Sequence, residues 1–505
     1  MIRYGILYMF LAVASPSLCQ GTLESLGKED LHQNNHFGQA VALDGDRALI
    51  AAPSEIIEGN SYQGAVYVFE HQAEWVETAK LEASNGGQYD YFGQSVAVKG
   101  SVAAIGAPGN SAGSVYIFEE TEGNWQEAQI LKPALEEGEF FHRMKFGKVL
   151  AMSEDFLFVT APDMITEFPQ TAGVVFIFER TESGWTFVQR LSSPSDDHGA
   201  RFGNSLAVDG NRLIIGAPHG NGGAENSGLA YLYELENERW TLEHAFIYPE
   251  SNGQERFGVS VDIDGDQVII GSLMHVFDQE EGPVGTAHIF IHSGMAWFHA
   301  GLLSSSQSSR NDFFGEAVAI EGDLAIVSAV RSDYSGRTDA GSVHVYRQEN
   351  GFWTKVLRLV PSEEDLQSHM YLGNAIALSA HRLLLGSPLA DNLSNDSGSA
   401  FLHDLDQVVS TGQVLPESGY ALYPNRPNPF NGTTQINFDL PRAGKVRIQV
   451  IDAMGKPVEI LTDSHFPAGE GHTLEWQPRN LPGGTYYIQL QTGKTLATIK
   501  AIYIR

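Results

Sequence analysis

The chain has 505 residues, of which 62 are Asp or Glu and 31 are Lys or Arg, for a formal net charge of −31. A surface this acidic repels phosphate backbones and anionic lipid, which argues against nucleic acid or a plain membrane surface as partner; a hydrophobic content of 42% excludes wholesale disorder. The single cysteine, Cys19, excludes an intramolecular disulfide and any Cys-based zinc site.

Residues 1–19, MIRYGILYMFLAVASPSLC, carry Arg3 and then an apolar run from Tyr4 to Ala14. That run is too short to span a bilayer and suits the core of an export signal. Ser17 and Cys19 are small residues placed for a cut before Gln20; the alternative is a lipoprotein with Cys19 lipidated, a pattern that Leu18 fits poorly. No later segment has the roughly 18 consecutive apolar residues of a transmembrane helix.

Residues 20–405 repeat one unit seven times. Phe-Gly begins at Phe37, Phe92, Phe146, Phe202, Phe257 and Phe314, and Leu372-Gly373 fills the seventh slot. Sixteen residues after each stands Pro53, Pro108, Pro162, Pro218, Leu273, Val330 or Pro388, the Pro following Ala in four copies. A loop of variable length then leads to Gly64, Gly113, Gly173, Gly228, Gly285, Gly341 or Gly398, and in six copies a Trp stands 11 or 12 residues later. Each unit reads as four strands. Two apolar runs flank a tight turn, often Asp-Gly, which is a strong hairpin signal. The third run is apolar on both faces, so its sheet must be covered on both faces. The Trp run is more polar, as an exposed edge should be. Such sheets pack face to face around an axis, which predicts an all-β fold: a seven-bladed β-propeller. The seventh unit lacks a Trp run. Residues 21–27 resemble the stretch C-terminal to Trp in other units, so they are expected to supply the missing edge strand.

Phe-Gly followed by Gly-Ala-Pro at this spacing resembles the FG-GAP repeats of the integrin α-subunit β-propeller. The calcium loops of that family need an Asp/Asn-rich segment between the first two strands. Here that turn is two or three residues, and the nearest match, Asp262-Ile263-Asp264-Gly265-Asp266, alternates strand faces. No calcium or other cofactor is therefore expected.

Residues 406–422 read as a linker. Residues 423–505 hold short alternating runs separated by turns, which predicts a small Ig-like β-sandwich. This segment is similar to the type A C-terminal sorting domain of the type IX secretion system of Bacteroidetes-type bacteria. The matching residues are Pro424, Asn425, Pro427, Asn428, Pro429 and Phe430, the turn at Gly455 and Lys456, and Gly483, Gly484 and Tyr486. The resemblance implies passage through the outer membrane, the type IX machinery as partner, and a secreted or cell-surface location.

No catalytic constellation stands out: there is no HExxH, no phosphate loop and no GxSxG elbow. The paired histidines His288 and His292 lie on a strand, with His288 in a slot that is aromatic in other units. The variable loops after Ala-Pro all open on one side of the ring and are rich in Asn, Asp, Ser, Gly and aromatics; binding residues concentrate on such loops. Tyr62, His219, Asn221, Arg331, Tyr334, Arg337 and Asn392 are the candidates there. The expectation is a non-enzymatic binding or adhesion module for an extracellular protein or glycan. The alternative is an extracellular polysaccharide-degrading lyase or hydrolase that uses the same loop face.

Overall fold

In each repeat the two apolar runs pair as a hairpin, and the aromatic and Trp runs extend it. In the first repeat the strands are Val41–Asp44, Arg47–Ala52, Ala65–His71 and Trp75–Leu81, antiparallel and hydrogen-bonded in that order. The computed structural model describes residues 20–21, 23–27, 32–109, 112–135, 144–165, 172–194, 199–248, 253–276, 283–305, 311–349, 352–391, 395–406, 420–493 and 495–505. The expected export signal, residues 1–19, and most of the expected linker, 407–419, lie outside them. Among the described residues the elements are strands, and no helix is long and apolar enough to cross a membrane.

Between Val41 and Asp404 the strands form seven such sheets, in chain order. The innermost strand of each touches that of the next, and Ala375–Ser379 of the seventh touches Val41–Asp44 of the first. This cyclic arrangement of four-stranded antiparallel sheets is consistent with a propeller. The core lies between neighbouring sheets: Val66 and Val68 of the first pack with Ile105 and Tyr116 of the second.

The repeated residues join one sheet to the next. Phe92 is fully buried, edge-on to Tyr116 (5.3 Å) and Phe118 (6.0 Å) of its own sheet. Its N–H donates to the Gln63 carbonyl of the preceding repeat (2.9 Å). Gly64 lies against this backbone at φ +89°, and a Cβ there would collide with the Phe92 carbonyl oxygen. The same relation closes the ring, because a Cβ on Gly398 would strike the backbone of Phe37. Each buried Phe contributes about 1.5–3 kcal/mol of apolar burial. The Trp runs also stitch across sheets: Trp240 packs edge-on to Phe156 (5.6 Å) and Phe158 (5.0 Å) of the preceding sheet.

The seventh sheet takes its fourth strand from the N-terminal segment, as its sequence suggests. Glu24–Ser25 pairs antiparallel with Ser399–Asp404, and the Leu26 N–H donates to the Ala400 carbonyl (2.9 Å). Gln20–Gly21 makes a further, unanticipated parallel pairing with Arg358 and Leu359 of the sixth sheet.

The expectation of polar outer strands holds for Trp75–Leu81 and is corrected at Trp297–Leu303 and Phe352–Leu359. These two are mostly buried, because residues from the C-terminal segment cover them. Phe298 and Ala300 form one cluster with Ile451 and Tyr487, and the Phe298 and Tyr487 rings are 4.4 Å apart. Gln489 Nε2 donates to the His299 carbonyl (2.6 Å) and Thr498 Oγ1 to the Ala300 carbonyl (3.2 Å).

The C-terminal segment contains a three-stranded sheet of Ala421–Leu422, Thr434–Leu440 and Gly469–Trp476. A second sheet orders Pro457–Phe466, Gly444–Asp452, Gly484–Thr492 and Thr495–Tyr503. Ile436, Phe438 and Trp476 of the first share a core with Ile448 and Ile488 of the second. Leu422, expected in the linker, is fully buried in this core; the run Tyr420-Ala421-Leu422-Tyr423 is too short to show a period.

Candidate functional site: the loop face

The connections between second and third strands leave the ring on one side. Their first residues are tied down by backbone bonds: the N–H groups of Ser54, Gly109, His219 and Arg331 donate to the carbonyls of Asn35, Asp90, Ala200 and Asp312 (3.0–3.3 Å). Each acceptor stands two residues before its Phe. The residue between acceptor and Phe is brought alongside the loop start, and in all seven repeats it has left-handed backbone. These residues are His36, Tyr91, Lys145, Arg201, Arg256, Phe313 and Tyr371, at φ 54–56°. Side chains meet across the pair of slots. His36 Nδ1 is 3.0 Å from Ser54 Oγ, Lys145 pairs with Asp163 (2.7 Å), and the Arg331 guanidinium lies 4.4 Å over the Phe313 ring.

One step inward, the residue after each Phe-Gly faces its counterpart on the next repeat. Asn204 Nδ2 donates to the Val259 carbonyl (3.1 Å) and Asn374 Nδ2 to the Gln39 carbonyl (3.4 Å). Lys148 and Glu316 hold the two charged positions of this slot, the others being Gln39, Gln94, Asn204, Val259 and Asn374. Burial lowers the Lys148 ammonium pKa, reinforced by Lys145, against the pull of Asp163. Burial raises the Glu316 carboxyl pKa, opposed by Arg331 and Arg256. Glu316 Oε2 is buried with no hydrogen-bond partner.

The candidates from sequence divide into three groups. Tyr62, His219 and Arg331 border the inner rim. The Tyr62 ring stacks on Tyr89 (5.4 Å, 16°) and lies 5.6 Å from Tyr91. His219 has its pKa lowered by burial and by Arg201 and Arg256. Asn221, Tyr334 and Arg337 build their own loops: Asn221 Oδ1 accepts the Asn226 N–H (2.9 Å), and Tyr334 and Arg337 exchange backbone bonds (3.0 and 2.8 Å). Asn392 lies outside the described residues. Sequence reasoning missed Tyr91, Lys145, Arg201, Arg256, Phe313 and Tyr371. The signal was present: the slot before Phe-Gly is large and aromatic or basic in every copy, although the residue before it varies among Asn, Asp, Met, Ala and Glu.

On the opposite side, the turn acids are spent between sheets. Asp44, Asp209 and Asp264 accept the N–H groups of Gly100, Gly265 and Gly322 of the next repeat (2.6–2.7 Å). Asp262 accepts the Ile320 N–H (2.8 Å), and Asp266 pairs with Arg212 (2.8 Å). The segment nearest to a calcium loop therefore serves as inter-sheet hydrogen-bond acceptor and ion-pair partner. Among the described residues no three His, Cys, Asp or Glu side chains converge on a metal position. His288 is a core residue, bonded to Thr286 Oγ1 (3.0 Å) and His299 Nε2 (3.1 Å).

The motif residues of the C-terminal segment hold its fold. Asn425 is buried and donates to the Pro427 carbonyl (3.2 Å) and Thr434 Oγ1 (2.9 Å). Asn428 Nδ2 donates to the Lys500 carbonyl (2.8 Å), and its Oδ1 accepts the Ile502 N–H (2.8 Å). Phe430 fills the core against Trp476 (5.2 Å), and Tyr486 OH donates to the Pro482 carbonyl (2.7 Å). Pro424, Pro427, Pro429, Lys456, Gly483 and Gly484 are exposed. Gly455, at φ +74°, leaves room for the Phe298 side chain of the fifth sheet.

Comparison with known proteins agrees with this geometry. The FG-GAP repeat profile matches residues 24–69, 75–118, 185–233 and 297–346, and the secretion system C-terminal sorting domain profile matches 422–505. Mouse integrin alpha-2 is 28% identical over 174 residues, which cover 29% of this chain and 14% of the integrin. The sorting domain marks the chain for type IX export to the extracellular space or cell surface. The chain thus carries FG-GAP repeats, arranged as a ring of antiparallel sheets, joined to a secretion system C-terminal sorting domain.

Proposed function

We propose that residues 20–405 form a seven-bladed β-propeller and residues from about 421 onward an Ig-like sandwich, the whole acting as a non-enzymatic binding or adhesion module on the surface of a Bacteroidetes-type bacterium. The carrying observation is where the C-terminal segment sits. It packs on the outer strands of the fifth and sixth sheets, through Phe298, His299 and Ala300. The loop face, with its aromatic and basic rim, is on a different side of the ring. A sheet ring held at its periphery presents its loops outward, as a displayed recognition surface requires. An extracellular protein or glycan is the ligand class.

One observation favours the second reading, a polysaccharide-degrading enzyme. Lys148 and Glu316 occupy the same inner slot on different sheets, and burial lowers one pKa and raises the other; opposed shifts of this kind suit acid–base pairs. A screen of the full exported chain on soluble glycans separates the two. Saturable binding without new reducing or unsaturated ends supports the module; turnover abolished by Lys148→Met or Glu316→Gln supports the enzyme.

A further inference from the structure

The inner rim of the loop face is basic across four consecutive sheets, in a part of the chain where 21 Lys and Arg face 56 Asp and Glu. Lys145, Arg201 and Arg256 hold the slot before Phe-Gly in three successive repeats, and all three are exposed. Lys148 adds to the first of these, and Arg331 continues the arc on the sixth sheet. The backbone at this slot is left-handed, which costs an L-residue roughly 1–2 kcal/mol and is the natural place for Gly. No repeat uses Gly there. The side chains are kept at a conformational cost, and strain of this kind clusters at binding sites.

The groups form one electrostatic neighbourhood. Arg201 and Arg256 both act on His219, and Arg256 and Arg331 both act on Glu316. The Arg331 guanidinium lies over Phe313 at 4.4 Å and within 5.7 Å of the Tyr371 ring centre. Stacking fixes the plane of a guanidinium and leaves its N–H edge to meet an oxyanion in two-pronged fashion. The same rim offers flat aromatic faces, at Phe313, Tyr371 and the Tyr62–Tyr89–Tyr91 group, where Tyr89 is 50% exposed. It also offers neutral amides at Gln39 and Gln94. Amides and ring faces match sugar hydroxyls and sugar faces. A peptide would instead be recognised by main-chain pairing along a strand edge, which ring faces and side-chain amides do not supply.

We infer that the axial rim of the loop face binds an anionic polysaccharide, with Lys148, Arg201, Arg256 and Arg331 holding its carboxylate or sulfate groups and the adjoining aromatic rings its sugar faces. The inference rests on the binding-module reading and specifies its ligand. The acidic coat elsewhere does not forbid it: the Debye length is about 8 Å at physiological ionic strength, so distant repulsion is screened while contact pairing survives.

The test uses the full exported chain in affinity electrophoresis and calorimetry against polygalacturonate, dextran sulfate, neutral dextran and polyglutamate. Retention by polygalacturonate or dextran sulfate is expected, and comparison of the two assigns carboxylate or sulfate. Arg201→Glu with Arg256→Glu should weaken binding at least tenfold. Arg331→Lys, which keeps the charge and loses the planar fork, should weaken it about threefold or more. Arg239→Glu, on the outer strand Arg239–Ile247, should leave it unchanged. Thermal melts establish that the variants are folded. The inference falls if neither polyanion binds, if polyglutamate binds as tightly as both, or if the double reversal has no effect. Saturable binding of neutral dextran alone would overturn this ligand and leave the module standing. Cleavage of polygalacturonate would keep the ligand and overturn the module.

Discussion

Gly228 carries two loads. Its φ is +79°, and a Cβ would run into the backbone of Phe257 in the next repeat. Gly210 sits in a hairpin turn at φ +55° with nothing within 4 Å. Both Gly→Ala changes forfeit the left-handed backbone, about 1–2 kcal/mol, but only Gly228→Ala also forces two sheets apart. Thermal melts should show a midpoint drop at least twice as large for Gly228→Ala as for Gly210→Ala. Equal drops would mean that the close approach is not what the glycine serves. A second residue contrast concerns pH. Asp262 occupies a slot that is Ala in the six other repeats, Ala42, Ala97, Ala151, Ala207, Ala319 and Ala377. Burial pushes its carboxyl up to about 7, from an ordinary 3.8. The fold therefore favours the protonated acid: its contribution is full below pH 3.8 and is lost as pH rises through 7. Asp262→Asn should raise the melting midpoint more at pH 8 than at pH 5. His299 has the opposite sign. Burial lowers its pKa to about 4 from 6.5, so its contribution is full above 6.5 and lost as pH falls toward 4. His299→Leu, the residue type at the matching register in the fourth sheet (Leu242), should flatten the acid limb of the stability profile. The odd acid in a column of alanines was legible in the sequence. Its partner, the Ile320 N–H, was not, because neighbouring inner strands lie side by side without a ladder that a pattern could reveal.

At the scale of elements, the sequence repeat and the sheet are out of phase. The four matched FG-GAP segments begin at Glu24, Trp75, Trp185 and Trp297, each at or beside the start of an outer strand, and end in the third strand of the following sheet. A ring built from such units must borrow its last outer strand from its first unit, and Glu24–Ser25 on Ser399–Asp404 does this. The closure was readable because the 11-residue spacing from Leu26 to Phe37 repeats that from Leu81 to Phe92. The parallel pairing of Gln20–Gly21 was not, since two residues carry no periodicity. Two paired residues, the Leu26 backbone bond and the buried Leu26 side chain (4% exposed) hold the seam. Without them the seventh sheet exposes Phe401 and Leu402 along an unpaired edge. Deletion of residues 20–30 should lower the melting midpoint sharply and promote association in light scattering. A midpoint that stays in place would show that the ring does not depend on this strand.

At the scale of the molecule, the charge has an address. Residues 20–419, the ring and most of the linker, hold a net −35, whereas residues 420–505 hold nine Lys and Arg and six Asp and Glu. The acidic ring and the slightly basic C-terminal segment nevertheless meet through apolar groups. The fifth Trp run reads WFHAGLL where the first reads WVETAKL; that loss of polarity was the one sequence trace of a covered edge, and its partner could not be read because Ile451 and Tyr487 lie on strands whose alternation looks ordinary. The loop face shows the same limit. Its loops and three rim residues were legible from position, while the basic arc required knowing that seven separated residues converge on one axis. One change tests the apolar cluster at this interface, which Phe352 of the sixth sheet and the bond from Ser293 Oγ to the Ala453 carbonyl extend. Phe298 is 5% exposed and contributes about 1.5–3 kcal/mol of burial, and each neutral hydrogen bond adds roughly 1 kcal/mol. Phe298→Asp removes the central contact and places a charge opposite Tyr487, so the C-terminal sheets should swing free on their linker. Small-angle scattering should show a larger radius of gyration, and protease should cut between residues 406 and 420 faster, while the main melting transition stays within a few degrees. Thr498→Ala, which loses one rim hydrogen bond, should change neither measurement by much. If Phe298→Asp leaves the radius and the cleavage rate unchanged, the apolar cluster is not what holds the sorting domain to the ring, and the clear loop face would need another cause.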